Sequence, residues 1–178
     1  MTPAQLVTLK ASILADANLT ALVAEGATGA IAQYLRTDST FVVWRTTTPV
    51  SDIDDAIIWA NMTPTDAPDG TAIYTNRALF SQAKQISLQT MVQGQSSISS
   101  AKTNVRSGLQ DALTNLPTGA GGATQAAGWT AVRLAMQRPA SIFEKIYATG
   151  TGTQASPGAL VLEGGPDDYS VIQALTQV

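Results

Sequence analysis

Apolar residues in this chain recur mostly at helical spacing, and glycine or proline interrupts the pattern at short intervals. Near the N-terminus, Leu6, Leu9 and Ile13 share one helical face, whereas the one β-like run covers residues 41–45. A chain with this pattern buries its apolar residues by packing several short helices together. We therefore predict a mostly α fold, a compact helical bundle with one short β segment.

Capping signals predict where several helices begin. Thr2, Pro3 and Gln5 form a capping box with proline at the first helical position, and Ser141 and Glu144 form a second box. Asn18 is predicted to cap a second helix, and further helices are predicted at 28–36, near Pro49 and Ser51, and at 71–93, 105–116 and 129–136. Proline and glycine at 64–70 and 117–123 predict connecting loops.

The longest predicted helix covers residues 71–93 and has two distinct stripes. One stripe is apolar and predicted to face the core; it carries Leu79, Ala83, Ile86 and Thr90. The other is an uncharged hydrogen-bonding stripe that consists of Gln82, Gln85, Gln89 and Gln93. A polar stripe of this kind either faces solvent or contacts another subunit, and the sequence leaves both interpretations open.

The C-terminal residues differ in character from the rest of the chain. Residues 150–158 are polar and extended, 159–163 are compatible with a strand, and 169–175 with a closing helix. A segment this short forms no core of its own, so it docks elsewhere or stays mobile. We therefore divide the chain into a helical body, residues 1–149, and an extended C-terminal arm, residues 150–178.

The chain contains neither histidine nor cysteine, which narrows its chemistry. Disulfides, thiolate nucleophiles and thiolate zinc sites are excluded, and so are Ser-His-Asp and Cys-His catalysis within this chain. We therefore expect a protein that is not an enzyme, with no catalytic residue, no cofactor and no metal site. No run of about 20 apolar residues predicts a membrane span, and the N-terminus shows no secretory signal.

Charged residues make up 13% of the chain, against roughly 25% in typical soluble domains. Such weak charging indicates a surface that partners cover. The charges fall into blocks, with net −5 over residues 1–70, +5 over 71–145 and −3 over 146–178. Complementary blocks of this kind can steer subunits together.

Two functions from other classes remain as alternatives. Ser81 with Lys84, and Ser99 with Lys102, match the Ser-x-x-Lys spacing of serine acyl-enzymes, although the companion motifs are absent. A DNA-binding factor would instead need its cations on one face and would bind DNA in a salt-dependent way. Those cations are Arg77, Lys84, Lys102, Arg106, Arg133, Arg138 and Lys145.

Three stretches of sequence stand out: Thr-Pro-Ala-Gln-Leu at 2–6, Phe-Val-Val-Trp-Arg-Thr at 41–46, and residues 138–157. The last includes Arg-Pro-Ala-Ser, then Glu-Lys-Ile-Tyr-Ala-Thr-Gly-Thr-Gly, and ends in Ala-Ser-Pro. Together they resemble a family of small tailed-bacteriophage proteins encoded among head and tail morphogenesis genes. The resemblance runs from end to end of the chain, but residues 52–137 match only in helical character.

The resemblance implies a virion structural protein of the head–tail connector (adaptor) type, assembled in the host cytoplasm. Such subunits form a ring, often twelvefold, that surrounds the DNA channel and joins portal to tail. The implied partners are further copies of the chain, the portal protein and tail proteins, with non-specific contact to packaged DNA as a further option. The alternative within the virion is a tail-completion or tail-terminator protein.

The predicted partner-contact residues belong to the arm and to the glutamine stripe. We expect residues 150–165 to dock on the portal or on an adjacent subunit by strand addition or extended packing. The residues proposed for these contacts are Thr151, Thr153, Ser156, Pro157, Leu160, Val161, Leu162, Gln82, Gln85, Gln89 and Gln93.

Overall fold

The structure, a computed structural model, describes residues 1–64, 72–118 and 123–176. The predicted mostly α class is confirmed, because helices dominate and the strands form small two-stranded sheets. The loops predicted at 64–70 and 117–123 lie largely outside the described residues. The helices are α1 (Pro3–Ala15), α2 (Thr20–Ala24), α3 (Thr28–Leu35), α4 (Val50–Ala56), α5 (Ala72–Val92), α6 (Thr103–Leu113), α7 (Trp129–Ala135), α8 (Ile142–Tyr147) and α9 (Asp168–Thr176). The strands are β1 (Asp38–Trp44), β2 (Thr48–Pro49), β3 (Ser97–Ile98), β4 (Leu116–Pro117), β5 (Thr124–Gln125) and β6 (Gln137–Ser141), and a 3-10 turn covers Trp59–Met62.

The chain divides into two compact units. Unit 1 combines Met1–Trp44 with Arg138–Val178, and unit 2 consists of Arg45–Gln137. Unit 2 is therefore inserted between two parts of unit 1. This division differs from the boundary predicted after residue 149, because it groups the C-terminal residues with the N-terminal helices.

Unit 1 packs α1, α3, α8 and α9 around one apolar core. Both predicted capping boxes are confirmed: Thr2 and Gln5 cap α1, and Ser141 and Glu144 cap α8. Strand β1 pairs with β6 beside these helices. The fully or almost fully buried apolar residues of this core are Leu6, Leu9, Ile13, Leu19, Ile31, Ala32, Leu35, Phe143, Val171 and Ala174.

One predicted cap is wrong. Asn18 was expected to cap the second helix, but α2 begins after Leu19 and has no side-chain cap. The amide of Asn18 instead donates to the Asp16 carboxylate at 3.1 Å and to the Tyr34 hydroxyl at 2.9 Å. Because the Asn18 amide is engaged in these two bonds, it does not cap the N–H groups at the start of α2.

Unit 2 packs α5 against α6 and α4 against α7. Strands β2 and β3 pair antiparallel, as do β4 and β5. Gly128, at the start of α7, has a φ of +85°, and a Cβ there would lie 2.3 Å from the carbonyl oxygen of Ala56. Only glycine therefore permits the close approach of these two chain segments.

The predicted burial of α5 is wrong. Leu79 and Ile86, expected in the core, are 56% and 55% exposed, whereas Ser81, Lys84 and Leu88 are buried. The inward face is the one that packs on α6, where the ammonium group of Lys84 reaches Asp111. Packing and this ion pair determine which face turns inward, and the apolar stripe is left outside.

Candidate interaction site

Residues 150–158 form a turn that is fastened along β1. The backbone N–H of Val42 donates to the carbonyl of Gly152 at 2.7 Å, and Gly158 donates back to the carbonyl of Val42 at 2.8 Å. The N–H of Trp44 donates to the carbonyl of Gly158 at 3.2 Å. The segment predicted as an arm is thus held by backbone hydrogen bonds to unit 1 on both sides of the turn.

The glycines of this turn make room for the ring of Phe41. A Cβ on Gly152 would lie 2.1 Å from Cδ2 of Phe41, and one on Gly158 would lie 2.4 Å from Cε1. Gly152 also has a φ of +66°, a region that residues with a side chain rarely adopt. The absence of a side chain at Gly152 and Gly158 therefore allows the turn to pack against β1.

The tip of the turn is exposed and hydrogen-bonded within itself. The hydroxyl of Thr151 donates to the carbonyl of Ser156 at 2.9 Å, and the N–H of Ser156 donates to Oγ1 of Thr153 at 3.1 Å. All three residues are exposed. The structure therefore brings these predicted contact residues together on one ordered surface, which we name the 151–156 turn.

The other predicted arm residues have different environments. Pro157 and Leu160 are half-buried, and Leu162 packs against the core of unit 1. Val161 is exposed. Where a strand was predicted at 159–163, a single antiparallel bridge joins Ala159 to Thr149. Of the residues predicted to make partner contacts in this segment, Thr151, Thr153, Ser156 and Val161 are thus exposed.

A buried ion pair fastens the chain that follows the turn. Glu144 is 2% exposed, and its carboxylate accepts two hydrogen bonds from Arg138, at 2.7 and 2.8 Å. It also accepts the N–H groups of Ser141 and Gly164, each at 2.9 Å. Glu163 lies 3.5 Å from the Arg138 guanidinium. The carboxylate therefore serves both as the α8 cap and as an anchor for residues 163–164.

The titration behaviour follows from these contacts. Burial raises the pKa of the Glu144 carboxyl, but hydrogen bonds from Arg138, Gly164 and Ser141 outweigh it and hold the pKa below its ordinary value. The hydrogen bond to Glu144 raises the pKa of Arg138. Both groups therefore remain charged near neutral pH, which suits a structural role.

A cavity of about 400 Å³ adjoins this ion pair. It is lined by Arg36, Asp38, Arg138, Ser141, Glu144, Glu163, Gly164 and Gly165. The Nε of Arg36 donates to the carbonyl of Pro166 at 3.0 Å, so the wall of the cavity is itself tied to the C-terminal segment. The carboxylate of Glu144 is fully engaged by its own neighbours and presents no free acid.

Tyr147 links α8 to α1. Its hydroxyl donates to the carbonyl of Gln5 at 2.6 Å, and burial raises the pKa of the phenol to about 12. The phenol stays protonated through the neutral range and remains a donor. This bond joins the first and third stretches that carry the resemblance to phage proteins.

The first Ser-x-x-Lys pair is buried in unit 2. Ser81 is 1% exposed, and its hydroxyl has no hydrogen-bond partner among the described residues. Lys84 donates to the Asp111 carboxylate at 2.8 Å and to the backbone carbonyl of the same residue. An ammonium group held in this way donates hydrogen bonds and is not positioned to take a proton from Ser81.

The second Ser-x-x-Lys pair, Ser99 and Lys102, lines a cavity of about 240 Å³. The remaining lining residues are Met91, Gln95, Ser97, Ile98 and Val105, so among the described residues no acidic side chain lines this cavity. The backbone N–H of Lys102 donates to the carbonyl of Ser99 at 3.1 Å, which marks a turn before α6. The described contacts give this pair a role in chain reversal.

Several cations required by the DNA-binding alternative serve internal contacts. Besides Lys84 and Arg138, Arg106 donates to the carbonyls of Ser100 and Ala101, each at 2.7 Å, and to Oγ1 of Thr103 at 3.0 Å. Arg138 and Lys145 belong to unit 1, and the other five predicted cations belong to unit 2. Less charge is therefore available for phosphates than the sequence count indicates.

The glutamine stripe borders a groove of about 420 Å³ in unit 2. Gln82, Gln89 and Gln93 are exposed, while Gln85 is half-buried and donates to the carbonyl of Met62 at 3.0 Å. The groove is lined by Asp54, Trp59, Met62, Gln85, Leu88, Gln89 and Val92. Trp59, the first residue of the 3-10 turn, is 54% exposed beside the groove.

Comparison of the chain with protein-family models, with curated proteins and with solved structures finds no match. Among the described residues, no helix is long and apolar enough to cross a membrane. Within the same residues, no group of three or more acidic side chains is placed to hold a metal ion.

Proposed function

We propose that the chain is a structural subunit of a tailed-bacteriophage virion, of the head–tail connector type, which joins portal to tail in a ring around the DNA channel. One observation carries the proposal: the three stretches that resemble phage proteins belong, apart from Arg45 and Thr46, to the same compact unit. When stretches that are distant in sequence form one compact unit, their common resemblance to one protein family indicates a structural module shared with that family.

Direct contacts connect these stretches. The 41–44 strand holds the turn at 150–158 through three backbone hydrogen bonds, and Tyr147 bonds to Gln5. Arg138 and Glu144, both in the third stretch, fasten the residues that follow the turn. The support for the proposal is this agreement between the resemblance and the packing.

In the proposed assembly, the 151–156 turn and Val161 are the surface that meets the portal or an adjacent subunit. The turn presents hydroxyl groups and backbone at an ordered site, and Val161 adds an exposed apolar side chain. Docking takes the form of extended packing or strand addition against the partner. In that assembly, residues 150–165 function as the arm of a helical body.

The test is incorporation into particles. Val161→Asp places a charge on the proposed contact surface, and we expect it to reduce the copy number of the subunit in purified particles at least tenfold. Val7→Asp is the control, because Val7 is also an exposed valine of unit 1 but lies on α1. Quantitative mass spectrometry measures both. Removal of residues 150–178 is less informative, because Val171 and Ala174 belong to the core.

Cryo-electron microscopy of the wild-type particle gives the location. A ring of this chain bound to the portal supports a connector, whereas a ring with a different symmetry that is bound only to tail proteins identifies a tail-completion or tail-terminator protein. Absence of the chain from purified particles, or wild-type incorporation of Val161→Asp, contradicts the proposed role of this surface.

A further inference from the structure

The outward face of α5 is apolar at its centre and carries no charge. Leu79 and Ile86 are exposed on it, and Phe80, 45% exposed, lies at one edge. The charged residues of this helix, Arg77 and Lys84, are on the side that packs inward. An uncharged apolar face of this kind raises no electrostatic barrier against an identical face.

The residues at the centre of this face are complementary in size when two copies of α5 pack antiparallel to each other. Leu79, Ala83, Ile86 and Thr90 fall within about 60° of one another around the helix axis. If two such helices pair about a twofold axis that passes between residues 84 and 85, Leu79 of each copy faces Thr90 of the other. The same axis places Ile86 opposite Ala83. Each large side chain thus meets a smaller one, as close helix packing requires.

The same twofold axis brings the glutamine stripes of the two copies next to each other. Gln82 of one copy lies within about 3 Å, measured along the helix, of the level of Gln89 of the other. A glutamine amide is both donor and acceptor, so two such side chains satisfy each other across the interface. The apolar residues thus define the register, and in that register the glutamine amides lie close enough in level to bond across the interface.

We propose that α5 is a self-association surface, on which a second copy of this chain docks through its own α5 in antiparallel orientation. The inference concerns the free protein and does not rest on the proposed virion function. The contact covers about three helical turns, which is at the small end for protein interfaces. A dissociation constant in the micromolar range or weaker is expected.

Sedimentation equilibrium of the full chain tests the association. We expect concentration-dependent dimers for the wild type and at least a tenfold weaker dissociation constant for Leu79→Asp. Leu14→Asp is the matched control, because Leu14 is also 56% exposed and lies on a helix of unit 1. A wild-type chain that stays monomeric up to about 1 mM overturns the proposal. Equal weakening by both substitutions also overturns it.

Cross-linking tests the orientation, and the absence of cysteine allows single-cysteine variants to be made directly in this chain. In the antiparallel pair, the two copies of residue 83 are offset by about 4.5 Å along the axis, and the two copies of residue 93 by about 25 Å. A short bismaleimide should link Ala83→Cys and leave Gln93→Cys unlinked. Efficient linking of both indicates a parallel pair, and linking of neither removes α5 as the contact. Loss of the dimer with retained particle incorporation separates this inference from the proposed function.

Discussion

At the scale of single residues, the side chain of Glu144 stabilises both a local feature, the start of α8, and a long-range contact with Gly164. Its reciprocal bonds with Ser141 form a capping box, which the sequence predicts because the two positions are three apart. Its bonds to Arg138 and to the N–H of Gly164 arise only when β6 and the C-terminal segment pack together. The spacing of Ser141 and Glu144 therefore predicts the cap, but it does not predict the contacts of Glu144 with Arg138 and Gly164.

Replacement of Glu144 tests the weight of this anchor. Glu144→Gln keeps an oxygen for the cap but removes the charge that balances Arg138. We expect a loss of about 2–4 kcal/mol in the free energy of unfolding, because the half-buried Arg138 guanidinium loses its buried counter-charge. Glu163→Gln, at the longer and more exposed contact, should lose less than about 1 kcal/mol. Denaturant unfolding measures both, and equal losses contradict the anchor role.

The lowered pKa of Glu144 also predicts a pH dependence. A carboxyl with a lowered folded-state pKa stabilises fully above its unfolded-state pKa, about 4.3, and loses that contribution as the pH falls through the folded value. The pKa of Asp167 is lowered in the same direction by hydrogen bonds from Ser170. We expect stability to decline below about pH 4.3, and less steeply in Glu144→Gln. Identical pH profiles of the two proteins would show that Glu144 contributes nothing to the decline.

At the scale of elements, α5 shows what periodicity predicts and what it leaves open. Its existence and approximate ends follow from the spacing of apolar residues and from Gly94. Its buried face does not, because α6 accepts the face that carries Ser81 and Lys84. The hydroxyl group of Ser81 packs inward there, and the ammonium group of Lys84 forms an ion pair with Asp111. The partner element, rather than the apolar stripe, decides the orientation.

Ser81 provides a test of this inward packing. Its hydroxyl is buried without a hydrogen-bond partner among the described residues, so Ser81→Ala removes a desolvated polar group. Ser107→Ala is the control, because Ser107 is exposed on α6 and the substitution brings the same gain in helix propensity. We expect the free energy of unfolding of Ser81→Ala to be about 1 kcal/mol higher than that of Ser107→Ala. Thermal and denaturant unfolding provide the comparison. A destabilised Ser81→Ala protein would mean that the hydroxyl has a stabilising partner.

The turn on β1 permits a second test at this scale. Gly152 and Gly26 have φ values of +66° and +68°, but only Gly152 would bring a Cβ against Phe41. We expect Gly26→Ala to cost about 1 kcal/mol from backbone strain alone and Gly152→Ala about 3 kcal/mol. In a Phe41→Ala background, the penalty of Gly152→Ala should fall to that of Gly26→Ala. An unchanged penalty in that double-mutant cycle would exclude the ring as its cause.

At the scale of the whole molecule, the interrupted arrangement of unit 1 is what the sequence does not predict. Helical periodicity and caps are local signals, and they locate most elements. The pairing of β1 with β6 joins segments separated by about half of the chain, and the packing of α9 on α1 and α3 joins segments separated by most of it. Such pairings depend on the free energy of the assembled core, which no local pattern reports.

The inserted arrangement predicts that residues 45–137 fold alone. The two ends of this segment meet, because the N–H of Arg45 donates to the carbonyl of Met136 at 2.9 Å and its Nε to that of Gln137 at 3.2 Å. The segment has its own apolar core, in which Leu109 and Leu113 are fully buried. We expect the isolated fragment to unfold cooperatively on heating, as followed by circular dichroism, and to protect core amides from exchange. Leu109→Asp should abolish that transition, which distinguishes a folded unit from residual helix. A fragment without a transition would mean that unit 2 requires unit 1 for its stability.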